Sequence, residues 1–256
     1  MMELLLIGIG TGNPDHLTRA GEAAIHEADV LLIPLKGEEK RELADLRRLI
    51  VDRIRPDAPV RAFDLPVRDA ERPYLDAVEA WHDAIAEAWR GAIPAGAERV
   101  ALLVWGDPSL YDSTLRIAAR LDPAPRLRVI PGITALQALT AAHAIPLNTV
   151  GGEVTITTGR RLRETGWPKG AETVAVMLDG ATAFTTLDPE GLEIWWGAYL
   201  GMPQEILAHG PLAEMAREIP RLRSEARKDH GWIMDIYLLR RRAAVALSLH
   251  RATRLP

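Results

Sequence analysis

Three short stretches hold the residues whose types and spacing could do chemistry: LLLIGIGTGNPDHLT (residues 4–18), VWGDPSLYDS (104–113) and IPGITALQAL (130–139). Each puts glycine or Pro-Gly straight after an apolar run, so the chain can turn tightly and offer backbone amides and small side chains to a ligand. The first invites comparison with a dinucleotide fingerprint, which needs glycine at three positions of G-x-G-x-x-G and an acidic residue closing the second strand. Here Gly8 and Gly10 fit, but Asn13 holds the third position. The nearby acid, Asp29, precedes the second strand, which closes in Ile33-Pro34. A nicotinamide or flavin site therefore fails on two independent counts. A turn touching no ligand would account for any one of these loops, whereas three such turns on one rim point to a binding crevice.

Other chemistries are excluded by residue type. With no cysteine, the chain has no disulfide framework, thiolate nucleophile or cysteine-ligated metal. The histidines, His16, His26, His82, His143, His209, His230 and His250, form no pair at metal-ligand helical spacing, so no metal site is expected. A formal charge of −4 argues against a broad nucleic-acid surface. The opening Met1-Met2-Glu3 and its short apolar run suit neither a signal peptide nor a membrane span, so the expected compartment is the cytoplasm.

The loops need a frame. Apolar runs at 4–7, 30–33, 99–104 and 126–130 read as strands, separated by helical spacing over 17–28, 43–50 and 69–90, with a further helix over 133–143. Near-continuous apolar strands alternating with helices predict a parallel sheet covered on both faces, with the three loops at its carboxyl edge. Pro, Asn and paired glycines in AIPLNTVGG (144–152) mark a boundary, giving an expected N-terminal α/β domain over 1–145 and a C-terminal one over 152–256. Strands are expected at 154–158, 173–178 and 193–200, and WIMDIYLL with AAVALSLH (243–250) reads as an antiparallel hairpin. Trp81 and Trp89, eight apart on one helix, read as core, and at most one of Trp195 and Trp196 can face a cleft.

Taken in order, Gly8-x-Gly10-x-Gly12-x-Pro14 with Leu17-Thr18, then Gly106-Asp107-Pro108, then Pro131-Gly132-Ile133-Thr134-Ala135, resemble the tetrapyrrole (corrin/porphyrin) methylases. Echoes follow in VMLDG around Met177 and in YLGMPQEILAHGPL, so the resemblance covers nearly the whole chain. It implies the tetrapyrrole methylase fold, two α/β domains with the active site in the cleft between them, a homodimer, and S-adenosylmethionine as methyl donor. Carried over residue by residue, the donor contacts are Pro14, Gly106, Asp107, Leu110, Tyr111, Thr134, Ala135, Met177 and Leu200, the last departing from the small residue expected there.

IPLKGEEKRELADLRR (33–48) and HGWIMDIYLLRR (230–241) resemble one branch of that family rather than the uroporphyrinogen branch. That branch implies C-methylation of a corrin precursor in cobalamin synthesis with loss of an acetyl group as acetate. Methyl transfer needs orientation, not a nucleophile; acetyl release needs a base and an oxyanion partner. Asp107, Asp179 and Glu38 are possible bases, and the base stays unassigned, since an Asp in a Gly-Asp-Pro turn commonly holds that turn through its amides. A substrate bearing many carboxylates calls for cations, and Lys36 and Arg41 are the substrate-binding candidates. Lys40, Arg47 and Arg48 share their segment and are further candidates, although a solvated helix face is the favoured reading of Arg47 and Arg48. The alternatives are a methylase acting on another precorrin, an rRNA ribose or a modified histidine, and a protein that binds a tetrapyrrole without turning it over.

Overall fold

The computed structural model describes residues 1–35, 41–69, 71–231 and 233–242, with the side chains of Arg41 and Glu42 also outside the description. Strands β1 (Glu3–Gly8), β2 (Val30–Leu35), β3 (Val60–Asp64), β4 (Arg99–Val104) and β5 (Arg126–Ile130) form one sheet in the order β3-β2-β4-β1-β5. Every pairing in it is parallel. Side chains alternate across a strand, so Leu4 and Leu6 face one side while Leu5 and Ile7 face the other. The first side packs with Ile85 and Trp89 of α3 (Tyr74–Ala92) and Ile117 of α4 (Thr114–Ala118). The second packs with Ile25 of α1 (Arg19–Glu27) and with Ile50 and Val51 of α2 (Arg41–Ile54). Both faces are apolar because both are covered, as the continuous runs predicted. β3 was not foreseen: of its apolar Val60, Ala62 and Phe63 only Phe63 is buried, and charged residues break the run at this sheet edge.

The second sheet, in the order β6-β7-β10-β8-β9, uses β6 (Val154–Thr158), β7 (Thr173–Met177), β8 (Leu192–Ala198), β9 (Ile206–Pro211) and β10 (Asp235–Arg241). β6 and β7 are parallel and the remaining pairings antiparallel. One face packs against Leu162 of α6 (Gly159–Thr165) and Leu212 and Ile219 of α7 (Leu212–His230). The other receives α5 (Ala135–Ala142), whose Leu136 and Leu139 meet Ala175, Ile236 and Leu238. The expected strand at the end of the chain exists as β10, but it is a central strand with both edges taken by β7 and β8. The hairpin partner expected over 243–250 lies outside the described residues. Trp196 is fully buried and Trp195 half-buried.

Between the sheets, residues 144–152 are pinned by Arg240, whose Nη2 donates to the carbonyls of Pro146 (2.7 Å) and Leu147 (3.1 Å). The same guanidinium lies 5.2 Å from the centre of the Trp195 ring. A cation stacked on an aromatic face and bonded to two carbonyls fixes the direction in which the chain leaves α5.

One core residue breaks the pattern. His82 on α3 is 2% exposed, and neither ring nitrogen has a partner among the described residues. Burial, reinforced by the Arg120 charge, pushes its pKa below the ordinary value. The unfolded chain therefore takes up a proton below about pH 6.5 that the folded one refuses, and stability falls as pH drops. His82→Leu is expected to gain about 1 kcal/mol or more at pH 5.5 and to flatten the rise of the urea midpoint toward pH 7.5. An unchanged slope between those two pH values would show that His82 does not set it.

Candidate active site

The three glycine-led loops leave β1, β4 and β5 on one edge of the first sheet and pack on each other. Gly10 and Gly106 pair through two backbone bonds, Gly106 N to Gly10 O at 2.7 Å and the reverse at 3.2 Å. A Cβ on Gly132 would sit 2.2 Å from Gly106 O and 2.7 Å from the Gly8 carbonyl carbon. These glycines let backbones touch, which is a different use from cradling a phosphate. Asp107 completes the knot: its Oδ1 accepts from Ser109 N at 2.8 Å and from the Ser109 hydroxyl, and its Oδ2 accepts from Gly132 N at 2.9 Å. Burial pushes the Asp107 carboxyl up, but the Ser109 hydroxyl and the Gly132 and Ser109 amides outweigh it and hold it below the usual range. Both oxygens are committed, so its role is to tie the turn to its neighbour.

The loops meet the second sheet through Thr11, whose Oγ1 donates to Leu200 O at 2.8 Å, and through Tyr111, whose hydroxyl donates to Ile156 O at 3.3 Å. A cavity of about 660 Å³ opens between the two sheets, within the range of small-molecule sites. Its walls are Thr11, Trp105, Gly106, Asp107, Leu110, Tyr111, Asp112, Ser113, Thr134 and Ala135 from the first edge, and Met177, Leu178, Asp179, Gly180, Leu200 and residues 233–236 from the second sheet. Leu43 and Arg47 of α2, Trp81 of α3, and Arg223 and Arg227 of α7 close it. Tyr111 and Leu178 hold left-handed backbone (φ 50° and 53°) while leaving 42% and 66% of their surface exposed. Apolar side chains kept in strained, wetted positions around a cavity are the mark of a ligand wall.

Of the nine expected donor contacts, eight line this cavity: Gly106, Asp107, Leu110, Tyr111, Thr134, Ala135, Met177 and Leu200. Pro14 does not; it begins a short 3-10 turn in a separate shallow depression beside Asp15 and Arg53. Lys36, Lys40 and Glu38 lie outside the described residues, as does the side chain of Arg41.

The structure brings Arg47 inward and adds Arg223, which the sequence does not single out. Arg47, expected on a solvated face, turns inward and donates from Nε to Leu103 O (2.9 Å) and from Nη1 to Leu43 O (2.9 Å). Burial pulls its pKa down to about 10, with Asp112 opposing, so it keeps its charge at neutral pH. On the opposite wall Arg223 donates from Nε to Asp235 Oδ2 at 3.0 Å and from Nη1 and Nη2 to the carbonyls of Gly180 (3.1 Å) and Asp179 (3.0 Å). Trp196 Nε1 also reaches Asp235 Oδ2, at 2.9 Å. Burial pushes the Asp235 carboxyl above its ordinary value, against the pull of Arg223 and the Trp196 N–H. Asp179 receives Ala181 N (3.0 Å), Ala183 N (2.5 Å) and the Tyr237 hydroxyl (2.7 Å), which leaves both its oxygens occupied. Arg223 was legible in principle: it falls between Ile219 and Ala226, on the stripe of buried Leu212, Ile219 and Ala226 seven apart.

A parallel sheet whose carboxyl-edge loops close on a second, mixed sheet around one apolar, carboxylate-bearing cavity defines a class. The chain belongs to the tetrapyrrole (corrin/porphyrin) methylases, whose family model matches residues 3–216. Among individual relatives it is similar to a precorrin-6A synthase [deacetylating] of Sinorhizobium sp, at 49% identity over 95% of this chain and 97% of the relative. The crystal structure of a cobalamin-synthesis-related protein, CobF, of Corynebacterium diphtheriae superposes with a TM-score of 0.82 at 39% identity, covering 95% of this chain and all of that one. Uroporphyrin-III-C-methyltransferase of Thermus thermophilus shares the fold, with a TM-score of 0.61 at 18% identity over 93% and 94% of the two chains.

Proposed function

We propose that this protein is an S-adenosylmethionine-dependent C-methyltransferase of cobalamin biosynthesis, methylating precorrin-5 at C-1 and releasing the acetyl group as acetate to give precorrin-6A. The observation that carries the reading is the single cavity that gathers eight of the nine positions expected to contact the donor. Similarity along 95% of the chain, at 49% identity, to a deacetylating precorrin-6A synthase supports the particular reaction. The same reading divides the chain into α/β domains at 1–145 and 152–256 and takes it as a cytoplasmic homodimer. No helix among the described residues is long and apolar enough to cross a membrane.

When bound, the donor supplies an electrophilic methyl group and a neutral thioether leaving group. This chain's own residues orient and exclude water. The knotted Gly106 and Gly132 loops and Thr134 hold one side of the donor, and Met177 and Leu200 hold the other. Such positioning can supply roughly 7–11 kcal/mol of the barrier. Arg47 and Arg227 lie on the cavity wall, where guanidinium groups suit the carboxylates of a precorrin, and Lys36 and Arg41 are proposed to add to them.

Incubation with precorrin-5 and methyl-labelled donor, followed by mass spectrometry, should show label uptake and acetate release in equal amounts. Label without acetate would make the protein a methylase of another precorrin, and binding without either would make it a tetrapyrrole carrier. Thr134→Trp places an indole in the donor wall and is expected to weaken S-adenosylhomocysteine binding at least about tenfold. Thr134 is also the N-cap of α5, with its backbone N–H bonded to Gln137 Oε1 at 3.0 Å. Loss of the cap should lower the melting temperature by only about 2–4 °C. Unchanged affinity would remove Thr134 from the donor site.

A further inference from the structure

We propose that Asp235 is the general base for acetyl release, taking a proton from the water that adds to the acetyl carbonyl. The inference rests on reading the protein as a deacetylating methyltransferase. That reaction needs a base within the cavity, and among the described residues four carboxylates line it: Asp107, Asp112, Asp179 and Asp235. Asp107 and Asp179 spend both oxygens on loop amides and the Tyr237 hydroxyl. Asp112 is tied to the start of α4 through Thr114 N at 2.6 Å.

Asp235 differs in geometry and setting. Its side chain is 8% exposed and is aimed by donors from two elements, the Trp196 indole of β8 and the Arg223 guanidinium of α7, both on Oδ2. Oδ1 receives only a long 3.3 Å contact from Arg223 Nη2 and keeps acceptor capacity for a water. The titratable and charged groups around it are Arg223, Asp179 with the Tyr237 hydroxyl that donates to it, the Arg163 side chain 3.9 Å from Asp179, and Arg227 on the same cavity wall. Burial strengthens the carboxylate as a base, while Arg223 pulls the other way and favours its charged form.

The step balances as follows. Water forms a bond to the acetyl carbon, its proton passes to Asp235 Oδ1, and the carbonyl pair moves onto oxygen. Collapse of the oxyanion breaks the carbon–carbon bond to the macrocycle, acetic acid leaves and ionises, and the bonding pair remains on the macrocycle carbon. That pair forms the new bond to the donor methyl, whose bond to sulfur breaks with its electrons staying on sulfur. Asp235 then returns its proton to solvent.

The test uses the full-length enzyme with precorrin-5 and labelled donor across about pH 5–9, with S-adenosylhomocysteine affinity measured by calorimetry. Asp235→Asn is expected to slow acetate release at least about 100-fold while product affinity stays within about threefold. Trp196→Phe removes a donor to the charged form, so the acid limb of the rate profile should move to higher pH. Acetate release within about threefold of wild type, or an unmoved acid limb in Trp196→Phe, overturns the assignment and leaves the proposed function standing. Product affinity lost in step with acetate release also overturns it, because Asp235 would then only hold the wall. Should Asp235→Asn not fold, the acid limb of Trp196→Phe decides. Wild-type enzyme that neither takes up label nor releases acetate brings down the functional reading itself.

Discussion

Gly132→Ala is expected to cost about 3 kcal/mol of stability or more and to weaken donor binding at least about tenfold. The added methyl would sit 2.2 Å from Gly106 O, 2.7 Å from the Gly8 carbonyl carbon and 2.8 Å from its Cα. All three are backbone atoms at the ends of strands β4 and β1, so no side chain can swing aside. Relief requires the β5 loop to lift, which also breaks the bond from Gly132 N to Asp107. Gly106→Ala is the control. Its Cβ meets nothing within 4 Å, and only the left-handed backbone (φ 65°) opposes it, at about 1–2 kcal/mol. Urea unfolding of the two variants side by side checks the argument. Equal losses would mean that backbone conformation, not the contact between loops, is what these glycines serve.

The second large effect falls on the opposite wall. Arg223→Met should destabilise the protein by about 3–5 kcal/mol at neutral pH, the usual consequence of removing one partner of a buried ion pair. The carbonyls of Asp179 and Gly180 would lose the guanidinium bonds together with Asp235, which would keep only the Trp196 N–H. The loss has a sign in pH. Asp235 already has a raised pKa in the folded chain, and removing the cation raises it further. Between the ordinary carboxylate value and that raised one, the folded state binds more protons than the unfolded state, so stability falls as pH rises. The gap between variant and wild type should be wider at pH 8 than at pH 5. A gap below about 1 kcal/mol, or one independent of pH, would mean the pair is solvated rather than buried.

What could be read from the sequence divides along one physical line. Strands of the first sheet are apolar on both faces, and such runs announce themselves, as do glycines that must turn at their ends. The loops were thus located, and their mutual packing was not, since a Cβ-free contact between Gly8, Gly106 and Gly132 leaves no trace in spacing. Arg47 shows why charge misleads. It was assigned to solvent by type, yet it sits four residues after Leu43 and four before the buried Val51, on the inward face of α2. Long cations can enter a core edge when backbone carbonyls, here those of Leu43 and Leu103, accept their protons. Trp81 was half legible: its ring packs on the core of the first sheet, its Nε1 donates to Pro66 O at 2.7 Å, and its exposed side joins the cavity wall. The helix α7 escapes a reading of the sequence because Pro220 sits inside its continuous span, where proline is disfavoured, and its buried residues recur only every seventh position. With it went Arg223.

The central place of β10 in the second sheet has a bearing on biosynthesis. Its seven residues, 235–241, join β7 on one side to β8 on the other. While a nascent chain is still short of them on the ribosome, β6-β7 and β8-β9 are two separate pairs, whereas all five strands of the first sheet have already emerged. Asp235 stands at the start of that same strand. The chemical wall is therefore completed last, on a finished platform, and a polypeptide released before residue 235 would carry the knotted loops but lack the strand that joins the two halves of the sheet they close against.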